Sequence, residues 1–281
     1  MVTEWEFPGS DDLPIRGSTH LPDGDARGVV VIVHGYMGFK DYGMFPWLAA
    51  RMCEQGFIVH RINLAHSGMD HGQGLFNDDA FRRGTWSSAV SDILRVVGAV
   101  QQGVLAGQGL GLVLLGHSRG GSSCLLTAGS HGRDELMQMV CGVISLSAPS
   151  SLRRFSEEAL AQLGRGEVFE LASSRTGQTL HVDPIWLYEQ DNDSDAHDLP
   201  ARVGEIIVPV VVIHGDEDPT VPPSDAVSLA SANPSRVWVH IVEHGDHVFN
   251  TPNPFAPTAD PSPELADAWW EIDRTLGVWF S

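Results

Sequence analysis

The chain has 281 residues, enough for one large domain or two small ones with a buried core. Hydrophobic residues make up 42% and charged residues 19%, the balance of a soluble globular protein. With 36 acidic against 17 basic residues the formal net charge is −19, which argues against nucleic acid and anionic membranes as partners.

The opening "MVTEWEFPGSDD" is acidic and has neither a basic nor an apolar segment of a secretory signal. No apolar run approaches the roughly 20 residues that span a bilayer. A soluble, cytoplasmic protein is expected. Residues 1–27 read as short strands with turn signals at "PGSDD" and "PDGD", hence an antiparallel edge hairpin. Val- and Ile-rich runs follow at 28–34, 56–62, 111–116, 141–148, 207–215 and 236–242. Continuous apolar runs of this kind suit strands covered on both faces. Helical patterns lie between several of them. Trp86, Ala89, Val90, Ile93, Leu94 and Val97 fall at helical spacing behind a Thr85 cap, and the last helix opens at Pro263 with Leu265, Trp269, Ile272 and Leu276 on one face. This alternation predicts an α/β fold, a mostly parallel central sheet with helices on both faces.

Residues 150–204 break the rhythm, being too long for one crossover helix. They predict a small cap insertion over the carboxyl edge of the sheet, with a helix at 154–163 and a hairpin turn at 175–183. The core is then 1–149 and 205–281. Cys53, Cys124 and Cys141 match no disulfide framework or zinc motif, and the apolar settings of Cys124 and Cys141 suggest buried free thiols.

"GLVLLGHSRGG" reads as strand, corner, helix, with Ser118 at the corner. A nucleophile on such a turn needs small neighbours two residues either side, here Gly116 and Gly120. The corner exposes the hydroxyl and sets the Arg119 N–H at a helix N-terminus, aimed at a developing oxyanion. A serine hydroxyl needs a base, and the base an orienting acid. "VVVIHGDEDPTVPP" offers Asp216 and Asp218 after one strand; "IVEHGDHVFN" offers His244 and His247 after the next.

The order Ser, Asp, His after successive strands resembles the α/β-hydrolase superfamily over nearly the whole chain. The resemblance implies an α/β-hydrolase fold and a catalytic triad of Ser118, Asp218 and His247. Asp216 then shapes the turn, and His244 is the alternative base. It also implies that the residue after "HG" in "VVVIVHGYMGFKD", Tyr36, supplies the second oxyanion N–H beside Arg119, with His34 bracing the loop. The loops "HGYMGFKD" and "RINLAHSGMDHGQGLF" and the long insertion are similar to those of cinnamoyl and feruloyl esterases and dipeptidyl-peptidase-like hydrolases. Arg119 departs from the glutamine common after the serine in such esterases.

The implied activity is hydrolysis of small-molecule carboxylic esters through an acyl-enzyme, without a cofactor. Peptidase, thioesterase or acyltransferase action on the same triad is the alternative, and a non-catalytic ligand-binding receptor is a further one. Phe155, Phe169, Trp186 and Tyr188 are candidates to wall an acyl pocket, with Phe155, Trp186 and Tyr188 the substrate-binding set. Arg153, Arg154 and Arg175 either bind a carboxylate or pair with local acids. His60, His66 and His71, and His240, His244 and His247, show no zinc-hydrolase spacing, so no metal is expected. No motif points to an oligomeric state.

Overall fold

The computed structural model describes residues 1–70, 74–173 and 175–281. Strands β1 (Val2–Pro8) and β2 (Pro14–His20) pair antiparallel, with Val2 opposite His20 and Pro8 opposite Pro14, as the expected edge hairpin. Gly17 is required there, because a Cβ would stand 2.1 Å from the Trp5 ring. The chain continues through β3 (Gly28–Val33), α1 (Phe45–Glu54), β4 (Phe57–Asn63), α2 (Asp78–Phe81), α3 (Trp86–Gln101), β5 (Leu112–His117), α4 (Arg119–His131) and β6 (Val140–Leu146). Next come α5 (Glu157–Gly164), β7 (Phe169–Ala172), β8 (Thr179–Val182), α6 (Ile185–Asn192) and α7 (Leu199–Gly204). Last are β9 (Val210–Gly215), α8 (Ser224–Ala232), β10 (Val237–Val242) and α9 (Pro263–Trp279).

Eight strands form one sheet in the order β1-β2-β4-β3-β5-β6-β9-β10, parallel from β4 to β10. The apolar runs without alternation have a simple cause. Val29, Val31, Val33, Leu112, Leu114 and Val212 point to one face and pack with residues of α3, α4, α7 and α8. Val30, Ile32, Val113, Leu115, Val211 and Ile213 point to the other and pack with α1 and α9. Both faces of these strands are dry, so both sets of alternating positions are apolar. β10 departs from the expectation: as the sheet's edge strand it leaves Trp238 56% and Ile241 39% exposed.

α3 starts where Thr85 predicts. Its hydroxyl accepts from the Ser88 N–H, and the Ser88 hydroxyl accepts from the Thr85 N–H, each at 3.0 Å. In residues 150–204, α5 begins later than the pattern suggests, because Ser156 caps it by accepting from the Ala159 N–H. β7 and β8 form a separate hairpin, and α7 packs against α4 so closely that a Cβ on Gly129 would stand 2.1 Å from the Arg202 carbonyl oxygen. The three cysteines are free; Cys124 is buried as expected, while Cys141 is only half-buried. Among the described residues no helix is long and apolar enough to cross a membrane.

Candidate active site

The chain turns from β5 into α4 at Ser118, whose backbone lies at φ 54° and ψ −124°, a region that L-residues rarely enter. Three glycines make the turn feasible. A Cβ on Gly116 would stand 2.3 Å from the Gly120 carbonyl oxygen, and one on Gly120 would stand 2.4 Å from the His34 carbonyl oxygen. A Cβ on Gly121 would meet Ser145 Oγ at 2.7 Å. The Ser118 N–H is anchored on the Leu146 carbonyl of the neighbouring strand at 2.7 Å.

The loop after β3 lies directly against this corner. A Cβ on Gly35 would stand 3.0 Å from the Ser118 Cβ. The loop is tightened by the Gly38 N–H donating to the Gly35 carbonyl at 3.0 Å, and Met37 takes φ 51°. His34 sits buried beneath it. Its Nδ1–H donates to the Gly35 carbonyl at 2.8 Å, and its Nε2 accepts from the Leu64 N–H at 3.2 Å. Burial pulls the His34 pKa down to about 4, so it braces the loop as a neutral imidazole. Tyr36 and Arg119 line the same cavity as Ser118, and among the described residues neither backbone N–H has a hydrogen-bond acceptor.

The loops after β9 and β10 meet backbone to backbone, since a Cβ on Gly215 would stand 2.0 Å from the Gly245 carbonyl oxygen. Asp218 and His247 come together there, with His247 Nδ1 2.8 Å from Asp218 Oδ2. Asp218 Oδ1 accepts from the Thr220 and Val221 N–H groups at 2.8 and 2.9 Å. Burial opposes its ionisation, but hydrogen bonds from His214 and His247, the His247 charge and the Val221 N–H outweigh it. The carboxyl is held well below the usual range and stays ionised, so His247 Nδ1 carries the proton it donates and Nε2 is left for a reacting group.

Asp216 ties the two loops by accepting from the His244 N–H at 2.6 Å, a turn-shaping role. His244 is exposed and pairs with Glu217 at 3.0 Å, away from Asp218. Among the described residues no hydrogen bond joins Ser118 Oγ to His247; the two are linked through His117. That residue, missed in the sequence, donates its Nε2–H to the His247 carbonyl at 2.7 Å, with the two rings 4.8 Å apart. His214, also missed, donates Nε2–H to the Val221 carbonyl at 2.9 Å and lies 3.4 Å from Asp218 Oδ2.

Beside Ser118 is a cavity of about 200 Å³, lined by Tyr36, Trp86, Arg119, Leu152, Phe155 and Trp186 among others. The Phe155 ring packs at a tilt against Trp186, centroids 4.4 Å apart, and against Phe169, centroids 5.7 Å apart. Trp86 was legible only as a core position of α3. Tyr188 does not line this cavity: it is 37% exposed and lies with Ser10, Asp11 and Arg83 in a different hollow. Arg153 pairs with Asp191, and Arg154 reaches Asp225 and the Thr220 carbonyl. Arg175 instead donates to the Met37 carbonyl and sits 3.9 Å over the Tyr42 ring. A larger, open hollow of about 850 Å³ between α3 and α4 contains none of Ser118, Asp218 and His247.

Among the described residues no three His, Cys, Asp or Glu side chains are grouped to hold a metal ion. His60 is engaged by Thr19 and the Ala106 carbonyl, and His66 by the Ala80 carbonyl. His71, considered with them, lies outside the described residues.

The sequence profile described as "Alpha/beta hydrolase family" matches residues 30–260. A monoacylglycerol lipase of Mycolicibacterium smegmatis is 23% identical over 237 residues, 78% of this chain and 80% of the relative. Est1E from Butyrivibrio proteoclasticus, solved with ferulic acid bound, superposes with a TM-score of 0.69 at 18% identity, covering 98% of this chain and 99% of that one. A monoacylglycerol lipase of Paleococcus ferrophilus superposes with a TM-score of 0.65 at 14% identity, covering 99% of each chain.

Proposed function

Because the chain belongs to the α/β hydrolase family, we propose that it hydrolyses small-molecule carboxylic esters through an acyl-enzyme on Ser118. The observation that carries this reading is the strained Ser118 corner set beside the hydrogen-bonded Asp218–His247 pair. Esterase and lipase relatives support the ester class.

In this mechanism His247 Nε2 takes the Ser118 proton as Oγ attacks the acyl carbon. Asp218 fixes the tautomer and stabilises the imidazolium. The Tyr36 and Arg119 N–H groups receive the negative charge that develops on the carbonyl oxygen. His247 then gives its proton to the departing alkoxide, leaving the acyl group on Ser118. Water, deprotonated by His247, attacks that ester, and Ser118 recovers its proton as the acid departs. Residues 150–204 act as the cap that sets specificity, with Phe155 and Trp186 from the cap and Trp86 from the core walling a space suited to a short or aromatic group.

The test is turnover of a panel of p-nitrophenyl esters and methyl ferulate by wild type and Ser118→Ala. We expect ester turnover that falls by about 10³-fold or more in the variant. A folded wild type that turns over none of them overturns the reading.

A further inference from the structure

Arg119 serves the proposed oxyanion site through its backbone, which leaves its side chain for another role. Its guanidinium carbon lies 5.1 Å from the Tyr36 ring centroid and 4.6 Å from that of Trp86, on the wall of the cavity beside Ser118. The rings attract the charge but accept no conventional hydrogen bond, and a guanidinium carries five N–H donors. Among the described residues no carboxylate lies within ion-pair distance of this side chain and no acceptor takes a hydrogen bond from it. Glu189, whose charge reaches it, is engaged elsewhere. Its oxygens accept from the Trp86 and Ser87 N–H groups at 2.5 and 3.1 Å and pair with His197 at 3.5 Å.

The other arginines nearby or buried are handled differently. Arg154, on the same cavity, is tied to Asp225 and the Thr220 carbonyl. Buried Arg61 is tied to Asp41 and the Lys40 carbonyl. In a chain with 36 acidic residues, a half-buried cation left without an acid at the reaction centre is out of keeping with its surroundings.

Resting on the ester-hydrolase reading, we propose that the Arg119 side chain is a carboxylate-recognition site, and that the substrate is an ester bearing a free carboxylate near its acyl carbon. The planar fork matches a carboxylate through two parallel N–H bonds. Apart from Arg154, which is tied to Asp225 and the Thr220 carbonyl, the walls are largely apolar, with Trp86, Leu152, Phe155, Trp186 and Val221 left for the linking carbons to pack on. With Arg154 neutralised by Asp225, one uncompensated guanidinium within a protein of net charge −19 suits a monoanion better than a phosphate dianion. Because Arg119 follows Ser118 directly in the chain, the linking chain is short, as in half-esters of succinate or glutarate.

The experiment compares p-nitrophenyl hemiglutarate with neutral p-nitrophenyl valerate in wild type, Arg119→Met, Arg119→Gln and Arg119→Lys. The readout is the ratio of kcat/KM for the two esters within each protein, so a general loss of activity cancels. We expect a wild-type preference for the anionic ester of about tenfold or more, abolished in Met and Gln and partly kept in Lys. A ratio unaffected by all three substitutions overturns the proposal. A second arm removes chemistry: Ser118→Ala is titrated with glutarate or glutaramide, and the fluorescence of Trp86 and Trp186 is followed. Saturable, salt-sensitive quenching by glutarate alone, lost on adding Arg119→Met, supports the site. Such binding with no turnover of any ester overturns the hydrolase reading but keeps the anion site. Ester turnover with neither preference nor glutarate binding overturns the anion site alone.

Discussion

His117 Nε2–H donates to the backbone carbonyl of His247 across 2.7 Å, so the residue before the corner serine grips the loop that carries the proposed base. Burial, with the His247 charge beside it, pulls the His117 pKa down to about 3, so it holds this bond as a neutral donor throughout the working range. It is a positioning residue. We expect His117→Phe to lower kcat about 10–100-fold with KM little changed, and His117→Asn, which keeps an N–H donor, to recover part of the loss. No effect of His117→Phe on kcat, or no recovery in His117→Asn, overturns this role.

The Gly35 and Gly116 positions separate activity from stability. A Cβ on Gly116 meets the Gly120 and Gly121 backbone at 2.3–2.6 Å, where neither side can yield. Gly116→Ala is expected to cost about 3 kcal/mol or more in chemical denaturation. A Cβ on Gly35 meets the Ser118 Cβ at 3.0 Å and the His117 carbonyl at 3.2 Å, so a few tenths of an ångström suffice. Gly35→Ala is expected to keep most of its stability while losing activity about tenfold or more, because the shift falls on Ser118 and the proposed oxyanion loop. Equal effects on stability would show that the two contacts yield alike.

Much of this arrangement was readable because it is built from local chemistry. The parallel strands announced themselves as apolar runs dry on both faces, and the Ser118 corner as glycines that no other residue can replace. His117 and His214 were not readable, because each acts through a contact with a carbonyl on a loop distant in sequence or hidden beneath a turn. Tyr188 lies outside the cavity for a geometric reason. In α6 it stands two residues from Trp186, and two residues on a helix reach opposite sides. Trp186 is 3% exposed and faces the cavity, while Tyr188 turns outward. Trp86 shows the converse: its helical spacing marks it as core, but its place at the first turn of α3 also brings it to the cavity.

Stability is expected to fall in mild acid. His20, His34 and His60 have pKa values lowered from 6.5 to about 4 and His117 to about 3, burial being the largest cause in each. The unfolded chain protonates these groups near pH 6.5, so below that pH it binds more protons than the folded one. Their stabilising contribution is therefore complete above about pH 6.5 and is lost as pH falls toward the folded values. Asp218, held below the usual carboxylate range, adds a loss only at lower pH, as the unfolded carboxyl protonates near about pH 4 and the folded one resists. Urea midpoints are expected to drop clearly between about pH 7.5 and 5, and His60→Gln to remove about one proton from the unfolding uptake. A flat midpoint across that range would contradict neutral burial of these histidines.

The last prediction concerns the size of the acyl space. Phe155 is half-buried, packed at 4.4 Å on Trp186, 5.7 Å on Phe169 and 6.0 Å on Tyr36, and it closes one side of the 200 Å³ cavity. Replacing it with alanine removes the ring without touching Ser118, Asp218 or His247. Longer chains then gain apolar contact in the space vacated, at about 0.8 kcal/mol per buried methylene, while acetyl gains none. Two or three methylenes held there amount to about a 15- to 50-fold rise in the octanoyl-to-acetyl ratio of kcat/KM for Phe155→Ala over wild type. Tyr188→Ala serves as the control, since its ring lies in another hollow, and it should leave the ratio within about twofold. If Tyr188→Ala shifts the chain-length preference and Phe155→Ala does not, the acyl group lies on the outer side of α6 and not against the ring of Phe155.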